Sequence, residues 1–108
     1  MKRVCAPIAA LFALIACQGQ PVATSAADTW SADKITVNFL GNASLRIDWA
    51  DTVIHVDPVR AYADYDAQPK ADIILVTHEH GDHLDAATIA TLTKPNTALI
   101  VTQKVFDN

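Results

Sequence analysis

The stretch Ile73-Ile74-Leu75-Val76-Thr77-His78-Glu79-His80-Gly81-Asp82-His83-Leu84-Asp85 sets four apolar residues directly before a run of imidazoles and carboxylates. Three of the chain's four histidines lie in it. Neither packing nor solubility calls for such a cluster at the end of a buried strand, whereas imidazole nitrogen and carboxylate oxygen are the donors that borderline divalent ions such as zinc prefer. The segment reads as a metal site.

In an extended segment, side chains two apart point the same way, so His78 and His80 leave the strand end on one face and can share an ion. Glu79 is turned to the other face, as a solvated or loop-bonding side chain. Gly81 permits the sharp turn that brings Asp82 and His83 back, where they can hold a second ion. The pattern is the start of a dinuclear centre.

Outward from this segment, the elements follow from periodicity. Ile73 to Thr77 is a strand, and its unbroken apolar run implies cover on both faces. Asp85 is placed to cap a helix whose inward side carries Ile89 and Leu92, and Lys94-Pro95-Asn96 ends it. Thr97 to Thr102 is a further strand, and Gln103 to Asn108 starts a second helical turn. Upstream, Ile35, Val37 and Phe39 alternate with polar residues, Gly41-Asn42 offers a turn, and Leu45, Ile47 and Trp49 alternate in a returning strand with one buried face. Thr52 to Asp57 is a strongly apolar strand stopped by Pro58, and Val59 to Ala71 reads as a polar loop. No internal repeat is seen. Four strands, a helix and a strand predict an α/β layer arrangement with a mixed, mostly antiparallel sheet.

The first residues have another use. Lys2 and Arg3 precede an apolar or small-residue run from Val4 to Ala16, the pattern of a secretory signal that is too short to span a bilayer as a mature helix. Residues 1–16 are therefore expected to be a signal peptide. Leu14-Ile15-Ala16-Cys17 resembles the bacterial lipobox, which makes Cys17 the expected lipidation site; an ordinary cleaved signal or a buried cysteine are the alternatives. The mature chain would keep one cysteine and form no internal disulfide. The resemblance places the protein at the periplasmic face of a bacterial membrane, the outer membrane being favoured, and without the anchor in the periplasm. Residues 17–33 carry few large apolar side chains and read as the lipid-attachment cysteine with a flexible tether, reaching roughly 20–24 Å. The folded domain is expected over residues 34–108.

Loss of Lys2 and Arg3 lowers the basic count from eight to six against twelve acidic residues, a formal charge of −6. Such a surface is repelled by phosphate backbones, which argues against nucleic acid as a partner.

The His-x-His-x-Asp-His run at a strand end resembles the metallo-β-lactamase superfamily. Phe39-Leu40-Gly41-Asn42-Ala43-Ser44, Val56-Asp57-Pro58 and Lys70 to His78 resemble its ascorbate-phosphate-lactonase-like branch of metal-dependent hydrolases, over about Ile35 to Val105. The resemblance implies the N-terminal half of an αββα sandwich with one flanking helix. It makes His78 and His80 ligands of one metal and Asp82 and His83 ligands of another, with Asp57 behind the site orienting a histidine through its ring N–H; as an alternative, Asp57 caps the turn at Pro58. Asn42 stands where many members of the branch carry a histidine. His55 matches no family ligand and reads as a core histidine or one behind the ligands.

The activity implied is metal-dependent hydrolysis of an ester, lactone or phosphodiester-type bond by a metal-bound hydroxide, with two zinc ions, or manganese or iron, as cofactor. Asp82 would orient the attacking water or take its proton. The family draws further ligands from a second half, whereas here no histidine follows His83 and only Asp107 among carboxylates follows Asp85. The expectation is a fragment or truncated product with a half-built site. Its alternatives are an inactive lipid-anchored metal-binding module, and a half-domain completed by a homodimer or by a separate second half.

Overall fold

The computed structural model describes residues 29–108. Six strands, β1 (Thr29–Ala32), β2 (Ile35–Gly41), β3 (Ser44–Trp49), β4 (Thr52–Val56), β5 (Ile73–Val76) and β6 (Ala98–Val101), lie in one sheet in chain order. Helix α1 (Ala86–Leu92) joins β5 to β6, and α2 (Gln103–Phe106) follows. The first four strands are antiparallel neighbours, while β4, β5 and β6 are parallel. The change of sense has a simple cause: two-residue turns can only reverse the chain, whereas the loop after β4 and helix α1 are long enough to return it in the same direction. This is the mixed α/β sheet that the residue pattern predicts.

Each tight turn places a non-glycine residue in the left-handed region: Asp33 at φ 50°, Asn42 at 48° and Ala50 at 50°. Aspartate and asparagine tolerate this through local hydrogen bonding, while alanine does so at a cost. Strands β2 and β4 run the same way, so the β2–β3 hairpin tip, the end of β4 and the end of β5 share one edge of the sheet. The metal-site sequence begins at that edge.

One face of the sheet is covered. Ile74 and Val76 of β5 pack with Tyr65, Ala71 and Leu92 in the buried core, with Leu84, Ile89 and Val101 against its margin. Asp85 caps α1 by accepting from the amides of Ala87 and Thr88, and its Oδ2 takes the Thr88 hydroxyl at 2.6 Å. The cap satisfies two amides that the first turn leaves without helical partners, and Leu92 at the far end of the helix is buried. Among the described residues, His55 is fully buried on this face, its Nε2 3.1 Å from the carbonyl of Pro69 and its ring centroid 5.9 Å from that of Tyr65.

The opposite face is bare. Register aligns Ile35 with Trp49, Val37 with Ile47 and Phe39 with Leu45, then Ile47 with Ile54 and Leu45 with Val56, and these in turn with Ile73 and Leu75. Their side chains therefore share a surface, because residues directly opposite across a ladder point the same way. Phe39 and Trp49 are 46% and 57% exposed. The alternation that predicts a buried face in β2 and β3 is correct in period, but none of these residues is buried and the core cluster of the described residues does not include them. For the same reason β5 is covered on one side only, with Ile74 and Val76 buried and Ile73 and Leu75 half-buried. The apolar run reports a strand wanting two layers, and the described residues supply one.

Two further differences concern boundaries. Residues 29–32, assigned by composition to the tether, form β1 and pair in register with β2 from Thr29 opposite Asn38 to Ala32 opposite Ile35. Ordered structure thus begins before Lys34, because the Asp33-Lys34 turn lets a short polar strand borrow the ladder of its neighbour. The segment after Pro58 is also less polar than it reads: Val59 is buried and Tyr65 is 2% exposed. Tyrosine suits both a loop and a core, so periodicity could not place it. The expected signal segment, Cys17 and the first part of the tether lie outside the described residues. Among the described residues, no helix is long and apolar enough to cross a membrane.

Candidate metal centre

Strand β5 ends at Val76, and Thr77 to His80 leave it as irregular chain before a tight turn in which the amides of His83 and Leu84 both donate to the carbonyl of His80. The turn folds Asp82 and His83 back over the strand end. Donor atoms of His78, Asp82 and His83 lie within 4.8 Å of one another. The rings of His78 and His83 are 3.8 Å apart between centroids, and Nε2 of His83 is 3.3 Å from Oδ2 of Asp82.

His80 is held differently. Its ring meets that of His78 edge-on at 4.8 Å, but its side chain is 70% exposed and lies outside the three-residue cluster. The expected grouping of His78 with His80 rests on strand alternation, which ceases where β5 ceases. Glu79 turns away from the cluster to an ion pair with Lys104 of α2, and this tie, with the backbone of Glu79 itself, holds its carboxyl below the ordinary range.

Behind the cluster sits Asp57, 1% exposed and in the left-handed region at φ 44°. Its backbone is over-determined: the amide donates to Leu75 O at 2.9 Å, and the carbonyl accepts from the Ser44 hydroxyl at 2.6 Å. Backbone held in a costly conformation by its surroundings is a feature of functional sites. The carboxylate accepts from the Thr77 amide at 2.7 Å, the Thr77 hydroxyl at 2.7 Å and Nδ1 of His83 at 2.8 Å.

The order of these bonds assigns the ring tautomers. Asp57 can only accept, so Nδ1 of His83 carries the proton and Nε2 faces outward with its lone pair. The Thr77 hydroxyl donates to Asp57 and so accepts from Nδ1 of His78, 3.1 Å away, which leaves Nε2 of His78 as a free donor atom too. One buried carboxylate thereby orients two histidines, one directly and one through a hydroxyl. Thr77 stands out only once the structure places its hydroxyl between three side chains. A threonine next to a histidine is too common a pairing to carry the role in sequence.

Asp82 lies on the open side of the cluster with a half-exposed side chain. Desolvation opposes its ionisation, but its own backbone amide, His83, Asn42 and His78 prevail and hold the carboxyl below its ordinary value. A carboxylate thus faces the outward nitrogens of two imidazoles. Two nitrogens and one oxygen, oriented from behind by a buried acid and open to solvent in front, suit a zinc-like divalent ion with room for a further ligand.

The chain resembles known proteins in this same region. Residues 36–107 match the family model of the beta-lactamase superfamily domain. A crystal structure from Parabacteroides distasonis ATCC 8503, of a protein assigned by name as a metal-dependent hydrolase, superposes with a TM-score of 0.68 at 41% sequence identity. The match covers 74% of this chain and 38% of that one. Among curated proteins, none matches.

Proposed function

Since the chain belongs to the beta-lactamase superfamily domain family, we propose that it carries the metal-binding part of a metal-dependent hydrolase acting on an ester, lactone or phosphodiester-type bond of a small molecule. The observation that supports this best is the convergence of His78, Asp82 and His83, with Nδ1 of both histidines engaged from behind. These three would hold zinc, with manganese or iron as alternatives, and His80 beside them offers a ligand toward a second ion. A bound divalent ion supplies an acidified water and a Lewis acid for the scissile bond.

The chain's own residues account for the rest. Asp57 and Thr77 engage Nδ1 of both imidazoles and so keep Nε2 turned toward the ion, and no ring must turn when the ion arrives. Asp82, on the solvent side, is placed to orient the attacking water or take its proton. Zinc titration of the full chain, with hydrolysis assays over lactone, ester and phosphodiester substrates, tests the reading. Absence of zinc binding at micromolar concentration would defeat it, and zinc binding without hydrolysis would favour the metal-binding module.

The bare sheet face favours one further reading of partners. Phe39, Trp49 and their register partners form an apolar surface on one side of the sheet, and sheets pair face to face over such surfaces. A second layer, from another copy or from a separate polypeptide, would cover it. Light scattering on the purified chain distinguishes a dimer from a monomer. Export and anchoring through Cys17 to the periplasmic face of a membrane are proposed on sequence grounds, and mass spectrometry of the mature N-terminus checks them.

A further inference from the structure

By periodicity the β2–β3 hairpin reads as a turn, and in the structure its tip reaches the metal cluster. Gly41, at φ 144°, approaches so closely that a Cβ there would stand 3.0 Å from Cβ of Tyr62. This contact seats the tip on the loop after β4. Asn42 follows at φ 48°, a conformation asparagine tolerates well, and its side chain leaves the hairpin toward Asp82, forty positions along the chain. Its Nδ2 lies 3.4 Å from the Tyr62 hydroxyl oxygen, 3.4 Å from Oδ2 of Asp82 and 3.5 Å from the Asp82 carbonyl.

Asp82 needs such a partner. It follows Gly81, at which an added Cβ would meet nothing within 4 Å, so the turn itself is loosely packed. Its other side-chain contacts are its own backbone amide and Nε2 of His83 at 3.3 Å, and the latter nitrogen and the carboxylate must both turn to an ion once one is bound. The Asn42 amide is under no such demand. It donates without carrying charge, and a carboxylate oxygen has lone pairs for both an amide and a cation.

Taking the ligand set proposed above as its basis, we infer that Asn42, braced by Gly41 and Tyr62, is a positioning residue that holds the Asp82 carboxylate in its ligating orientation. A donor amide at this position serves the acid without competing for the metal, as an imidazole there could. Loss of the amide frees the carboxylate to rotate, so the ion binds to a less ordered ligand set.

Asn42→Gly separates this role from that of the turn, because glycine keeps the left-handed backbone and removes the amide. Zinc affinity by competition with a chromophoric chelator should fall about 10-fold, the lower end for residues that support metal ligands. The visible spectrum of the cobalt-loaded chain should change, while the metal-free unfolding midpoint should stay near that of the parent. Tyr62→Phe, which leaves the backbone alone, should shift affinity the same way by a smaller factor and serves if Asn42→Gly does not fold. Unchanged zinc affinity and cobalt spectrum in the folded variants, with tight binding by the parent, would overturn the inference and leave the metal site standing. No zinc or cobalt binding by the parent would overturn the metal site and this inference together.

Discussion

Oδ2 of Asp57 lies 2.8 Å from Nδ1 of His83, buried at the end of β4 and joined across the sheet edge to the turn after β5. The pair links the innermost carboxylate of the fold to the outermost group of ligands. The same oxygen takes the Thr77 hydroxyl, so the orientation of His78 and of His83 depends on one acid. Asp57→Asn preserves shape but replaces an acceptor by a mixed group, and should weaken zinc binding by roughly 10–100-fold. A competition titration with a chelating dye measures this.

Thr77→Val removes the hydroxyl with little change in volume. His83 keeps its direct bond to Asp57, whereas His78 loses the group that accepts its Nδ1 proton. Zinc affinity should fall about 10-fold, less than for Asp57→Asn. In NMR spectra, the Nδ1 proton of His78 should broaden or vanish and that of His83 should remain.

Metal should stabilise the fold, since a site built from β5, the following turn and β4 exists only when all three are in place. Zinc at about a hundred times its dissociation constant should add roughly 2.7 kcal/mol, and a chelator should remove it. Thermal melts with and without zinc report the effect. His83→Ala should abolish the zinc-dependent shift.

Acid should loosen the protein in two stages. Burial of His55 depresses its pKa from the ordinary value of 6.5, so the unfolded chain takes up its proton first. Its contribution is intact above that value and is lost as pH falls from there through the folded pKa. The Thr88 hydroxyl, chiefly, holds Asp85 below its ordinary 3.8 despite desolvation. Stability from this carboxylate is present above 3.8 and lost as pH falls through the lower folded value. Urea midpoints across pH should show both declines in the parent, and His55→Gln, which keeps a donor toward Pro69, should lack the first. Asp85→Ala should lack the second and should cost about 1 kcal/mol at neutral pH through loss of the cap.

Ala50 occupies the first turn position between β3 and β4 at φ 50°, where its Cβ is unfavourable. Ala50→Gly should stabilise the chain by about 1 kcal/mol, because glycine adopts that backbone freely. A raised urea midpoint with an unchanged slope is the expected result.

The elements were largely legible because their causes are local. Alternation in Ile35-Thr36-Val37-Asn38-Phe39, the Pro58 stop, the Asp85 cap and the apolar run before Thr77 each act within a few residues. The composition of residues 29–32 misled because β1 draws its order from β2, and Tyr65 misled because only its neighbours decide whether a tyrosine is inside. His78 and His80 both lie past the end of β5 at Val76, where strand alternation no longer fixes which way a side chain points, and their rings meet edge-on at 4.8 Å.

By itself, the sequence determined the lineage, the mixed sheet and the set of side chains able to bind a metal, since these follow from residue type and short-range spacing. Tertiary structure alone decided which of them meet. Parallel alignment of β4 and β5 carries Asp57 beneath Thr77 and His83, twenty and twenty-six positions away. The β2–β3 hairpin brings Asn42 to Asp82 across forty. Such contacts cost chain entropy that only the packed sheet repays, so no local pattern records them. The bare apolar face is the converse case: its alternation asks for a covering layer, and the tertiary structure shows that the described residues do not provide it.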